Sequence, residues 1–192
     1  DIEFMIRRWY YFTWLGGDHI VEQAVHSIDK MNWAMRDKPP IRCWGTGGRQ
    51  VRTDPKYGNI YDHFAIVYEY SNHVRGYHTC RHWPNTKPRI KDFIFGTKGM
   101  CDVFEHRITG PNAWRYRGPE NDMYQNEQDR LFAAIRSNEP INNGTYMCHS
   151  TLLAIMGRMA AYTGQVITWE DALNSKEDLS PPAYAWNDIP LP

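Results

Sequence analysis

The chain has 192 residues, 42% hydrophobic and 14% aromatic, a globular composition long enough for one domain with a sizeable core. Its 22 basic residues balance 22 acidic ones, and the arginines (Arg7-Arg8, Arg49, Arg52, Arg81) form no block, which argues against nucleic acid or an anionic membrane as partner. No apolar run reaches the length of a membrane span, no signal-peptide core is present, and the opening on Asp1 without Met leaves the compartment open.

In chain order, residues 1–15 hold Phe4, Trp9, Tyr10, Tyr11, Phe12 and Trp14 without a clean period and read as a lead-in loop or strand remnant. A helix is expected over 18–36, with Asp18 as its N-cap after Gly16-Gly17 and Pro39-Pro40 ending the segment. Ile20, Ala24, Val25, Ile28, Met31 and Met35 cover its core face. From Pro40 to about Trp114 the pattern turns to strands, at 41–51, 61–70, 74–82, 91–96 and 100–108, separated by turn-forming residues. Short connections between them imply antiparallel pairing. The glycine-rich Trp44-Gly-Thr-Gly-Gly48 lies among these strands and reads as a bulge or turn, not a phosphate cradle.

Helices are expected over 122–137 and 143–162, with Gly164 as the stop, and a capping box at Thr168-Trp-Glu-Asp171 opens a short helix through Leu173. Asn143-Gly-Thr145 matches a glycosylation sequon and is read as a helix N-terminus. The tail over 180–192 is a Pro-rich strap that Tyr184, Trp186 and Ile189 would pin to the body. Cys43, Cys80, Cys101 and Cys148 lie far apart and read as buried free thiols.

The order of elements indicates an α+β fold, an antiparallel sheet with helices gathered on one face. Phe64, Ile66, Tyr68, Tyr70 and Tyr77 would either leave an apolar second face open to self-association or be buried internally.

The first helix raises the functional question. With Glu22 at zero, a constant rotation of about 100° per residue places His26 at roughly 40°, Asp29 at roughly −20°, Trp33 at roughly 20° and His19 at roughly 60°. Three readings compete. A solvated face with an i,i+4 pair contributes about 0.2–0.5 kcal/mol. A metal site would have to be built on His19-x-x-Glu22-x-x-x-His26, which is not H-E-x-x-H and needs a distant third ligand. In the acid/base reading, a carboxylate one turn from an imidazole orients it to take a proton near neutral pH. The two glycines would then let a substrate approach closely. Periodicity leaves all three open.

The segment GGDHIVEQAVHSID, over 16–29, resembles the Gfo/Idh/MocA family of glucose–fructose oxidoreductases and inositol dehydrogenases. That family reads Gly-Gly, an acid, three residues, a His, two residues and an Asp. The resemblance continues through IFGTKGMCDV (94–103), NEQDRLFAAIRSNEPINNG (126–144) and STLLAIMGRMAAYTGQVITWEDAL (150–173).

The resemblance implies a single C-terminal domain over 1–192, α+β, with a large mostly antiparallel sheet serving substrate binding and homo-oligomerisation through its open face. NAD or NADP would be held by an N-terminal Rossmann domain outside this chain. His26 matches the catalytic base and Glu22 the acid four residues before it, usually Asp in the family. Asp29 fits the family spacing, and His19 shares the stripe. Arg8, Trp9, Tyr10, Tyr11 and Trp14 are candidates to stack on and hydrogen-bond a sugar, polyol or cyclitol.

The chain lacks a strand–G-x-G-x-x-G–helix unit and the family's E-K-P motif, so alone it is expected neither to bind NAD nor to turn over. No metal is expected. Two other functions stay open on the same scaffold: a non-catalytic ligand-binding or assembly module, and an NAD-dependent glycosidase. A bacterial source is expected, with the compartment, cytoplasmic or periplasmic, left open.

Overall fold

The structure, a computed structural model, describes residues 2–186. Helices α1 (Ile2–Arg7), α2 (Thr13–Gly16), α3 (His19–Glu22) and α4 (Val25–Ala34) come first, with a 3-10 turn at Trp9–Tyr11. Strands β1 (Arg42–Gly48), β2 (His63–Glu69), β3 (Arg75–Arg81), β4 (Phe93–Gly96), β5 (Gly99–Asp102), β6 (Arg107–Thr109) and β7 (Trp114–Arg115) follow. Helices α5 (Met123–Ser137) and α6 (Gly144–Thr163), strand β8 (Ile167–Thr168) and helix α7 (Trp169–Leu173) close the order. The fold is α+β, with its strands in two four-stranded antiparallel sheets, β3-β2-β1-β8 and β4-β5-β6-β7. Two compact units result: the chain up to Thr86 with the segment from Tyr146 onward, and Lys87–Thr145.

The first unit is organised by β1–β3. Its register runs from Arg42 opposite Glu69 to Gly48 opposite His63, and from His63 opposite Arg81 to Glu69 opposite Arg75. Alternation then sends Phe64, Ile66 and Tyr68 to one side, where they are buried with Ile20, Ala24, Ile28, Leu153, Met156 and Ala160 from the helices. Glycine is required where the layers meet most closely. A side chain at Gly157 on α6 would strike the Tyr68 hydroxyl, which donates to Leu153 O at 3.0 Å. A side chain at Gly45 would strike the Ala65 carbonyl of the neighbouring strand. The glycine-rich 44–48 run is therefore extended β1, paired along its length, and not a bulge or turn.

Of the two fates open to the aromatic and aliphatic strand residues, Phe64, Ile66, Tyr68 and Tyr70 take burial, and Tyr77 alone faces outward, 72% exposed. The lead-in over 1–15 is helical, contrary to the expected loop or strand. Its helices are one or two turns each, too short to show a 3.6-residue period, and Ile2, Met5 and Phe12 bury together against Phe4, Tyr11 and Trp14. The helix expected over 18–36 is broken. Gln23 N–H and Ala24 N–H both donate to His19 O, at 3.1 and 3.2 Å, and the second bond spans five residues. That widened turn separates α3 from α4, so a constant rotation cannot be carried across it.

In the second unit, β4–β7 form a meander, and Asp122 caps α5 by accepting from Tyr124 N and Gln125 N at 2.9 and 3.2 Å. Asn138, left-handed at φ 57°, ends that helix. Helix α6 starts at Gly144, whose N–H bonds to Asn142 Oδ1 at 2.9 Å, so the sequon lies at a helix N-terminus. The Thr168–Asp171 capping box and the left-handed Gly164 stop are present. The cysteines are free. Cys43 is buried, Cys80 and Cys101 are half-buried, and Cys148 is exposed, a departure from uniform burial. In the tail, Tyr184 meets Trp14 at 6.0 Å while Trp186 is exposed, and Ile189 lies outside the described residues.

Candidate functional site

The entry to α3 is built on an unusual backbone. Gly17 takes φ 73° and Asp18 φ 92°, the latter disfavoured for any residue with a side chain. Three hydrogen bonds hold Asp18 there. Its carboxylate accepts from His19 N at 2.5 Å, Tyr61 N at 3.1 Å and the Tyr162 hydroxyl at 2.5 Å. Burial raises its pKa to about 6 against the opposing pull of those bonds and of Arg158.

His19 is buried, stacked on His82 with ring centres 4.3 Å apart, and its Nδ1 lies 2.6 Å from the Tyr10 hydroxyl. Burial, reinforced by the neighbouring imidazoles of His82 and His78 and by cationic Arg52, lowers the His19 pKa to about 3, so its ring is neutral at neutral pH. Burial and the Glu22 charge push Tyr10 ionisation well upward. The phenol therefore keeps its proton and donates it to Nδ1, which assigns the ring's own proton to Nε2. His82, also lowered by burial, donates from Nε2 to Tyr61 O at 3.0 Å.

Behind this pair, Asp62 is fully buried and accepts from Gln50 N, Val51 N and Arg52 N at 2.9, 2.6 and 2.9 Å, from His63 Nδ1 at 2.8 Å and from Trp83 Nε1 at 2.8 Å. Burial alone would raise this acid, but the bonds outweigh it and hold it well below the usual carboxylate range. Arg52, positioned by that turn, donates to His82 O at 2.6 Å and the Tyr11 hydroxyl at 3.3 Å.

An open depression of about 490 Å³ is lined by Arg7, Arg8, Trp9, Tyr10 and Tyr11. Four of the lead-in residues expected at a substrate site, Arg8, Trp9, Tyr10 and Tyr11, thus share one surface, while Trp14 borders a separate depression of about 390 Å³ with Leu152, Met159 and Leu179. Glu22 ends α3 with Oε2 buried and unpartnered. His26 is exposed on the first turn of α4 and borders neither depression, and no hydrogen bond joins it to Glu22. Asp29 is engaged elsewhere: its Oδ1 accepts from Ser150 Oγ at 2.6 Å, and Ser150 Oγ in turn accepts from the buried Asn32 at 3.1 Å, tethering α4 to α6.

Sequence reasoning named Tyr10 in the lead-in and His19 and Glu22 on the helix stripe as candidates, and did not name His82, Arg52, Asp62 or Tyr162, which the structure places beside them. Asp62 and His82 reach the site from beside the ends of β2 and β3, Arg52 from the loop after β1 and Tyr162 from the last turn of α6, with no local period to reveal them. Among the described residues, no group of three or more His, Cys, Asp or Glu is placed to hold a metal ion. The glycine-rich run, being paired strand, offers no turn of free N–H groups to a pyrophosphate.

No protein-family model matches the chain, and no curated protein does either. Solved structures do. One is an aldose-aldose oxidoreductase from Caulobacter crescentus complexed with glycerol, 16% identical, with a TM-score of 0.67 over 83% of this chain and 50% of that one. Another is the UDP-N-acetylglucosamine 3-dehydrogenase GnnA from Acidithiobacillus ferrooxidans, 16% identical, with a TM-score of 0.63 over 76% and 48%. A third is the WlbA dehydrogenase from Bordetella pertussis in complex with NADH and UDP-GlcNAcA, 18% identical, with a TM-score of 0.60 over 84% and 50%. The chain spans about half the length of the solved structures it matches.

Proposed function

We propose that this chain, whose fold is that of one half of the Gfo/Idh/MocA-type oxidoreductases, is the substrate-binding and oligomerisation domain of an NAD(P)-dependent enzyme oxidising a sugar, polyol or cyclitol. The observation that carries this is Glu22. A carboxylate oxygen buried without a donor costs on the order of 1–3 kcal/mol, which a substrate hydroxyl would recover. It ends the helix that Tyr10 packs beside, and the exposed imidazole of His26 follows four residues later.

In this reading His26 takes the proton of the hydroxyl being oxidised, and Glu22 accepts a hydrogen bond from that hydroxyl or its neighbour. Tyr10, its proton committed to His19, presents only acceptor lone pairs to a ligand. The dinucleotide belongs to a separate domain and supplies the hydride acceptor. That domain completes the cleft over His26. The Asp29 tether to α6 fixes α4 and so orients His26.

Homo-oligomerisation uses the outer face of β1–β3. Trp44, Val67 and Tyr77 are register partners there, forming one row across three strands. The Arg42 and Arg75 guanidiniums lie 5.9 and 5.6 Å from the Trp44 ring.

The test is His26→Ala in the full-length enzyme. Loss of a general base lowers turnover by about 10²–10⁴-fold while dinucleotide affinity stays at the wild-type value. Unchanged turnover removes His26 from the mechanism.

A further inference from the structure

We propose that the depression over Arg8, Tyr10 and Tyr11 receives an anionic group, so that the substrate is an acidic sugar or polyol carrying a carboxylate or phosphate. This rests on the reading that a carbohydrate binds beside Glu22, and names its class.

Around the depression, Arg7 is paired with Glu3 at 2.8 Å and Lys56 with Asp54 at 3.4 Å. Arg8 has no such partner among the described residues: its guanidinium meets only the Lys56 carbonyl at 3.4 Å and the Phe4 ring at 5.4 Å. Arg52 is bound to two neutral acceptors, the His82 carbonyl and the Tyr11 hydroxyl, and Tyr11 lines the depression. Arg49 spends its donors on the Arg52, Gly58 and Asp54 carbonyls, at 2.6, 2.5 and 2.9 Å. Three guanidiniums therefore stand on this side of the unit with no carboxylate of the described residues in ion-pair range.

Among the described acids, Asp54 feels the Arg8 charge, but its carboxylate is already paired with Lys56. His19 and His82 are held neutral, and Asp62 is enclosed by five donors of its own. Glu22 acts on Tyr10 from the α3 side. The site thus has two chemical characters, a cationic one at Arg8 and an accepting one at Tyr10 and Glu22. A ligand bearing an anion and several hydroxyls satisfies both; a neutral polyol satisfies only the second. At about 490 Å³ the depression is of the size that holds one small molecule.

The test uses the full-length protein with its dinucleotide. Dinucleotide reduction is followed with glucose, glucuronate and glucose 6-phosphate. Quenching of tryptophan fluorescence, to which Trp9 contributes, is followed with the same three and with inorganic phosphate.

The expected result is a kcat/KM for one acidic sugar about tenfold above that for glucose, shrinking as salt rises, with Arg8→Gln collapsing the preference. Which acidic sugar wins separates carboxylate from phosphate. Equal or better use of glucose overturns the proposal. If no sugar is oxidised but the acidic probes bind in a salt-sensitive way that Arg8→Gln abolishes, the anion site stands and the dehydrogenase reading falls. Binding of inorganic phosphate alone, indifferent to Arg8→Gln, overturns the site as well.

Discussion

The two units carry their apolar residues in opposite ways. Every fully buried hydrophobic residue among those described lies outside Lys87–Thr145, and Asp102 is that unit's sole buried side chain. Yet the second unit is not poor in hydrophobics. Phe95, Tyr124, Met123 and Ile135 are 77, 70, 69 and 63% exposed, on a sheet and a helix with unbroken backbone hydrogen bonding. The first unit is thus specified by side chains meeting across layers, the second by strand ladders, turns and caps. The proposed binding chemistry lies in the first, where a buried carboxylate such as Asp18 or a stacked pair such as His19 and His82 has the packed interior that keeps its geometry.

The largest test of this contrast is Leu153→Ala. Leu153 is fully buried at the centre of the first unit, and its carbonyl receives the Tyr68 hydroxyl. Removing three buried carbons and leaving a cavity lowers stability by about 2–5 kcal/mol, read by chemical denaturation. A loss below about 1 kcal/mol would mean that the α6–β2 layer is not the keystone of the unit.

A somewhat smaller effect comes from Asp18. The folded-state pKa of about 6 lies above the ordinary 3.8, so the folded chain binds the extra proton between those values. Stability from this group is fully present below about pH 3.8, declines through about pH 6, and is flat above, a swing of about 3 kcal/mol. Asp62 works in the opposite sense, since its folded pKa is depressed, but its proton is taken up only in stronger acid. The stability difference between the wild type and Asp18→Asn should therefore change with pH between 4 and 6 by roughly 1.4 kcal/mol per unit. A constant difference over that interval would show that Asp18 titrates normally.

The same contrast explains what could be read from the sequence. Alternation in 64–68 and the apolar face of Ile20, Ala24 and Ile28 reflect burial against another layer, and both were legible. So were Gly164 and the Thr168–Asp171 box, because caps are local chemistry. The lead-in helices were hidden by their shortness, and the break at Gln23-Ala24 by the assumption of constant rotation. At the site, Tyr10, His19 and Glu22 are close in sequence and could be grouped. His82 stacks on a ring 63 positions earlier, and Tyr162 bonds an acid 144 positions earlier. Such pairings are products of sheet register and helix docking, and no window on the sequence holds both partners.

The smallest predicted effect tests the second unit directly. Phe95 stands opposite Met100 in the β4–β5 ladder, where its backbone contributes and its ring is largely open to water. Replacing it with Ser leaves the ladder intact and removes apolar surface that was never withdrawn from solvent. Stability should change by no more than about 0.5 kcal/mol. Amides of β4–β7 should also exchange well before those of β2, whose bonds are shielded by the core. A loss of about 2 kcal/mol or more would contradict the description of this sheet as held by its backbone, since only a covered ring is so costly to remove. Dilution then locates the cover: a penalty that fades as the protein concentration falls belongs to a second copy, and one that persists belongs to the chain itself.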